Sequence, residues 1–227
     1  MQAQPPVRVA ECGTRSTQHC FHARASAVTI GIIGGSFNPI HIAHLIIADR
    51  FVDQRGLDHC FFVPTHQSPF KTSDAAVAPA ADRLAMVRLA TVQHAKFEVS
   101  DVEIQRGGVS YTIDTIRYFA AQYPDAEINI LIGSDQAVEF VRWKDWQQIV
   151  REAQVCIVRR PFLLTPEMEE RMSENLTIDD RAPVWITAPL LEISSTDIRK
   201  RVREHKSINY LTVKAVRDYI AEHGLYV

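Results

Sequence analysis

Val28-Thr29-Ile30-Gly31-Ile32-Ile33-Gly34-Gly35-Ser36-Phe37-Asn38-Pro39-Ile40-His41-Ile42-Ala43-His44 decides how this chain folds. The β-branched run Val28–Ile33 has the character of a buried strand, and the glycine pair ends it. Leu45-Ile46-Ile47-Ala48-Asp49-Arg50-Phe51-Val52 then has the apolar content and length of a helix. A strand, a glycine turn and a helix N-terminus present backbone N–H groups outward, where an anion is stabilised. His41 and His44 sit three residues apart, on one face of the first helical turn. Two imidazoles beside such a turn suit the neutralising and orienting of a phosphate.

Outward from this segment, strands and helices alternate. Strands are expected at 58–64, 97–100, 127–133, 155–158 and 184–187. Helices are expected at 81–94, with Leu84, Val87 and Leu89 among its apolar positions, and at 112–122, with Ile113, Ile116 and Phe119 on one face. A tryptophan-bearing helical stretch follows residue 133, and 197–205 and 212–223 close the chain. The pattern predicts an α/β fold: a Rossmann-like, doubly wound, mainly parallel sheet with helices on both faces and a small C-terminal helical part. In such sheets the ligand crevice lies beyond the strand C-termini, at the switch point of strand order. The turns at Gly34-Gly35, Gly133-Ser134-Asp135 and Ile193-Ser194-Ser195-Thr196 should all open onto it.

Size and charge narrow the classes. At 227 residues the chain is long enough for one domain with a sizeable core, expected over 28–227. Its formal net charge of −2 provides no basic field for nucleic acid. No apolar run reaches the roughly 18 residues that span a bilayer, so no membrane partner is expected. Residues 1–27 lack apolar periodicity and are expected to be a disordered N-terminal extension. Cys12, His19, Cys20 and His22 match no common zinc spacing. Cys60 and Cys156 lie in apolar strands as small hydrophobes, which favours a reducing cytoplasm. Nothing in the sequence sets an oligomeric state.

A lone H-x-x-H is more often a surface or capping pair than a site, and no third zinc ligand follows at a useful spacing. The preceding strand and glycine turn shift the balance to phosphate. The second constellation is Ile193-Ser194-Ser195-Thr196-Asp197-Ile198-Arg199. Its hydroxyls would cap a helix in the structural reading. With Arg199 reaching back to the same helix end, they equally make a polyphosphate site.

Residues 34–44 resemble the G-x-F-x-P-x-H-x-G-H signature of the nucleotidyltransferase superfamily, with Ala43 in place of the usual glycine, which should slightly crowd a bound nucleotide. Residues 193–199 are similar to its I-S-S-T-x-I-R motif. Ser110-Tyr111-Thr112-Ile113-Asp114-Thr115 resembles the S-Y-T-x-D-T segment of bacterial nicotinate mononucleotide adenylyltransferases. Leu131–Asp135 with Phe140-Val141-Arg142-Trp143 is similar to their G-x-D…W block. Pro64-Thr65-His66-Gln67-Ser68-Pro69-Phe70-Lys71 is similar to their loop ending in P-H-K, with Phe70 replacing histidine. Val216–Ile220 and Gly224-Leu225-Tyr226 look like their C-terminus, although Leu211-Thr212-Val213 departs from the usual L-V-P.

The resemblance implies adenylyl transfer from ATP to nicotinate mononucleotide, with Mg²⁺ accompanying ATP. It implies that His41, His44 and Arg199 are catalytic. ATP would be held by Gly34, Gly35, Ser36, Phe37, His41, His44, Gly133, Asp135, Ser194, Ser195, Thr196 and Arg199. Nicotinate mononucleotide would be held by Ser36, Lys71, Tyr111, Thr112, Asp135 and Trp143. Chemistry agrees with these types. A tryptophan face holds a flat pyridine ring, Asp135 accepts from ribose hydroxyls, and Lys71 meets phosphate charge. Arg159-Arg160 could also approach phosphate, though a strand exit explains them equally. The alternatives are a phosphopantetheine adenylyltransferase or related cytidylyltransferase, a silent nucleotide-binding protein, and a zinc hydrolase using His41 and His44.

Overall fold

A computed structural model describes residues 27–70, 77–159 and 165–227. Six strands form one sheet: β1 (Thr29–Gly35), β2 (His59–Pro64), β3 (Phe97–Val99), β4 (Glu127–Gly133), β5 (Gln154–Val158) and β6 (Val184–Ile186). Their spatial order is β3-β2-β1-β4-β5-β6, and every neighbouring pair runs parallel. Chain order reverses between β1 and β4, which places the switch point there.

Alternation along the strands builds two cores. Ile30, Ile32, Phe61, Val63, Ile128, Ile130, Ile132, Val155 and Ile157 face one layer. It is completed by α4 (Thr112–Gln122), through Ile113, Ile116 and Phe119, and by α6 (Trp146–Glu152), through Ile149 and Val150. Ile33, Cys60, Phe62, Leu131, Cys156 and Val158 face the other layer. There α1 (Ile42–Arg55), α2 (Ala80–Thr91) and α9 (Lys214–Glu222) pack through Phe51, Met86, Val87, Val216 and Ile220. A Cβ on Gly31 would lie 2.4 Å from Leu57 Cδ1 and 2.7 Å from Phe51 Cε1, so only glycine lets α1 pack this closely on β1.

The expected doubly wound parallel sheet is therefore present, with five corrections. Helix α1 begins at Ile42, so His41 is its N-cap rather than a residue of its first turn. The inward face of α2 is Arg83, Met86, Val87 and Thr91, while Leu89 is exposed and Leu84 half-buried. Helix α9 starts at Lys214, because Val213 is its N-cap and the Thr212 hydroxyl donates to the Ile40 carbonyl. The short α3 (Val102–Arg106) and the polar α7 (Pro166–Asn175) had no strong apolar signature. Arg159 leaves β5 for α7, not for a ligand crevice: Glu169 accepts from it at 2.5 and 2.6 Å, and its guanidinium lies over Trp185.

Cys60 and Cys156 are fully buried. Burial pushes both thiols up, that of Cys156 to about 12, so neither is a ready thiolate. Cys12, His19, Cys20, His22, Lys71 and Arg160 lie outside the described residues.

Candidate active site

The turn after β1 is built by its own residues and fastened from outside. Phe37 takes φ 46° and buries its ring against Phe62, and the Asn38–Pro39 peptide is cis. His41 is the N-cap residue of α1 and is buried. Its backbone N–H donates to His44 Nδ1 at 3.2 Å, and the two imidazoles stack with centroids 3.6 Å apart. Phe37 meets His44 edge-on at 5.2 Å. An Nδ1 that accepts a hydrogen bond carries no proton, so the His44 proton sits on Nε2 and that atom is a donor. A Cβ on Gly34 would meet nothing within 4 Å, so protein packing does not demand glycine there. That residue is exposed, and its bare backbone leaves room for close approach at the end of β1.

Three distant parts of the chain hold this turn. From α2, the buried Arg83 donates to the carbonyls of Ser36 (2.8 Å), Ala78 (3.1 Å) and His66 (3.4 Å). Burial lowers its pKa, with Tyr226 acting the other way. From α8 (Ser195–Arg203), Arg199 donates to the Asn38 carbonyl at 2.9 Å and to Thr196 Oγ1 at 3.4 Å. Ser195 Oγ donates to the Pro39 carbonyl at 2.8 Å, while Ser194 caps α8 by accepting from the Asp197 N–H. From the C-terminus, the Tyr226 hydroxyl donates to Asn38 Oδ1 at 2.8 Å, and Ile42 N–H donates to the Leu211 carbonyl. The two sequence constellations thus meet: one end of Arg199 is at the histidine turn and the other at the hydroxyls of α8.

A second group lies on the turns that flank β1. After β2, His66 N–H donates to Ser110 Oγ at 3.1 Å and Ser110 N–H donates to the Gln67 carbonyl at 2.9 Å. This ties the β2 exit to the residues leading into α4, where Tyr111 is the N-cap and Thr112 the first helical residue. After β4 come α5 (Ser134–Ala137) and a 3-10 turn (Phe140–Arg142), which ends in Trp143. Trp143 packs on Phe140 at 5.0 Å and faces Phe70 at 6.3 Å, and Lys144 Nζ lies 4.6 Å above the Tyr111 ring. Asp135 stands exposed in the first turn of α5, beyond the C-terminal end of β4. Arg83 links the two groups, since it holds both Ser36 and His66.

Beneath α4 sits Glu103, a buried carboxyl from α3. Its Oε1 accepts from Thr115 Oγ1 at 2.7 Å, and Arg106 donates to the same hydroxyl at 3.2 Å. Burial raises the Glu103 pKa, opposed by hydrogen bonds from Thr115, Ser110 and Thr65 and by the charge of Arg106. Sequence reasoning passed over Glu103, Arg83, Asn38 and Tyr226. Each acts through a polar group, which hydrophobic periodicity does not reveal. Ala43 is 2% exposed.

Residues 32–201 match the cytidylyltransferase-like family model. That is the class which a parallel sheet, a phosphate-type turn and a histidine pair at its switch point define. The chain is 42% identical over 201 residues to a probable nicotinate-nucleotide adenylyltransferase of Neisseria meningitidis serogroup B, covering 87% of this chain and 98% of the relative. It is 36% identical over 199 residues to one from Salinibacter ruber, covering 88% and 98%. Among solved structures, Plasmodium falciparum nicotinic acid mononucleotide adenylyltransferase complexed with NaAD superposes with a TM-score of 0.71. Its identity is 20%, and the match covers 88% of this chain and 97% of that one, a likeness of fold. The chain belongs to the nicotinate-nucleotide adenylyltransferase family.

Proposed function

We propose that this chain transfers the adenylyl group of ATP to nicotinate mononucleotide, giving nicotinate adenine dinucleotide and pyrophosphate. The family membership supports the reaction, and the fastening of His41–His44 to Arg199 through Asn38 is the observation that supports the mechanism.

A phosphate oxygen of the mononucleotide attacks the α-phosphorus of ATP in line. The new P–O bond forms as the bond to the β-phosphate oxygen breaks, and pyrophosphate carries away the electron pair. Such a transfer depends on alignment and charge stabilisation, not on a protein nucleophile. His44 Nε2–H is a preoriented donor to the charge that develops on the phosphoryl oxygens. His41 stacks behind it and fixes its plane. Gly34, Gly35, Ser36 and Phe37 form the floor on which the phosphates approach, and Ser194, Ser195, Thr196 and Arg199 receive the β- and γ-phosphates.

Nicotinate mononucleotide occupies the group beside β4. Trp143 stacks on the pyridine ring, and the start of α4 with Tyr111 and Thr112 receives the carboxylate. Asp135, next to Gly133, accepts from ribose hydroxyls, and Lys71 supplies charge to the phosphate. Mg²⁺ enters with ATP as the substrate complex. The triphosphate is its principal ligand in this reading. Residues 28–227 act as one catalytic unit in the cytoplasm. Among the described residues no helix is long and apolar enough to cross a membrane.

The test is incubation with α-phosphate-labelled ATP and nicotinate mononucleotide. Label should appear in the dinucleotide with one equivalent of pyrophosphate. Label appearing in free AMP, with no dinucleotide, would replace transfer by hydrolysis.

A further inference from the structure

Glu103 is a buried carboxyl that takes no part in the chemistry described above. An apolar residue would fill the same place in α3 without the cost of burying a carboxyl, so packing does not explain it. Its contacts bracket the two residues at the start of α4. On the helix side, the buried Thr115 donates from Oγ1 to Glu103 Oε1 at 2.7 Å, and Arg106 donates to the same hydroxyl at 3.2 Å. On the loop side, the hydroxyls of Ser110 and Thr65 favour the charged form of Glu103. Ser110 is itself buried and joined to the turn after β2, where its Oγ accepts from His66 N–H at 3.1 Å. Ser110 precedes Tyr111 and Thr112 in the chain, and Thr115 follows them. One carboxyl therefore steadies both flanks of that pair. The pair needs such a brace, because Tyr111 is the N-cap of α4 and its side chain makes no capping hydrogen bond. The first N–H groups of a helix have no acceptor within it and attract an anion, in the direction that the first turn sets.

We propose that Glu103 is a positioning residue for the mononucleotide: through Thr115 and Ser110 it fixes the first turn of α4, whose donors receive the ring carboxylate. This rests on the substrate assigned above and adds to it the side chain that sets how strictly the acid is preferred. Glu103 lies beneath α4 and acts through the two hydroxyls, not on the substrate. Burial favours its neutral form, which keeps its repulsion of a second carboxylate small, and the charge of Arg106 opposes that repulsion further. Discrimination between acid and amide depends on donors that match one and oppose the other. A first turn without its brace aims those donors less well. The acid then loses its advantage, while the amide, which never matched them, loses little.

The test compares Glu103→Leu, Glu103→Gln and Thr115→Val with the unaltered enzyme, using nicotinate and nicotinamide mononucleotides side by side. Thr115→Val keeps the buried shape and removes only the linking hydroxyl, so it decides the matter even if Glu103→Leu fails to fold. Thr115→Val and Glu103→Leu should each raise KM for the acid about 10-fold, as loss of one well-made buried hydrogen bond does. KM for ATP should stay within about 2-fold, and the preference for acid over amide should fall by about the same 10-fold as the acid's KM rises. Glu103→Gln, neutral and of the same shape, should restore most of the preference. The Glu103→Leu/Thr115→Val double variant should be no worse than Glu103→Leu alone, because both break one link. A lower melting temperature with unchanged KM for the acid, or equal losses for acid and amide, would overturn the positioning role while leaving the proposed reaction standing. Equal use of both mononucleotides by the unaltered enzyme would overturn the assigned substrate and the positioning role with it.

Discussion

His44 Nδ1 accepts the backbone N–H of His41 at 3.2 Å while the two rings stack 3.6 Å apart. The bond leaves Nε2 as the nitrogen that carries the proton, and the stack holds the plane of the ring. His44 is only half-buried, so its removal leaves a small gap at the rim and no large cavity. His44→Ala should lower kcat by about 10²–10³, the usual cost of one preoriented donor to a developing charge. Its thermal midpoint should stay close to that of the unaltered protein. Steady-state kinetics beside a melting curve check both, and near-normal turnover would remove His44 from the chemistry.

Arg83 should matter for stability and catalysis together. Its guanidinium ties α2 to three carbonyls, including that of Ser36 in the turn after β1. Arg83→Met keeps the buried stem but leaves those acceptors unmet, at a cost of about 3 kcal/mol. For a chain of this size that lowers the melting temperature by about 6–12 °C. Turnover measured well below the new midpoint should still be reduced, because the histidine turn has lost a fastening. A drop in melting temperature with unchanged kcat would make Arg83 purely structural.

Glu103 gives a pH signature. Burial holds its carboxyl above the ordinary carboxylate value, so the folded chain binds this proton more tightly than the unfolded chain does. Stability from this group therefore falls as pH rises from the ordinary value through the raised one, and is level beyond. Glu103→Gln cannot ionise and should lose that dependence. Urea titrations from the acidic carboxylate range to neutrality should show the variant gaining on the parent as pH rises. Parallel curves would contradict the assignment.

The sheet, the turn after β1 and the capped start of α8 were legible because they are local. Val28–Ile33 and Glu127–Gly133 are apolar runs ended by glycine, and 193–199 places cap hydroxyls before a helix. The fastening of the site was not legible, because Arg83, Arg199, Thr212 and Tyr226 reach backbone carbonyls or a side-chain amide of a turn far away in sequence. Tyr226, for example, reaches Asn38 across 188 positions. Leu89 misled for the converse reason: an apolar residue on a helix is often exposed, and here the inward position is occupied by Arg83. Helix α7, with four acidic residues among ten, gave no inward face to read.

Substrate choice tests the central claim most directly. Nicotinate mononucleotide carries a ring carboxylate where the nicotinamide form carries a neutral amide. Donors at the start of α4, at Tyr111 and Thr112, match the first and oppose the NH₂ of the second. Mismatched polar groups in a site discriminate strongly, by about 10²-fold or more. The measurement is kcat/KM for both mononucleotides, side by side, at fixed ATP and Mg²⁺. A preference of at least about 10²-fold for the acid is the predicted result; comparable use of the amide would contradict the assignment of this chain to nicotinate mononucleotide.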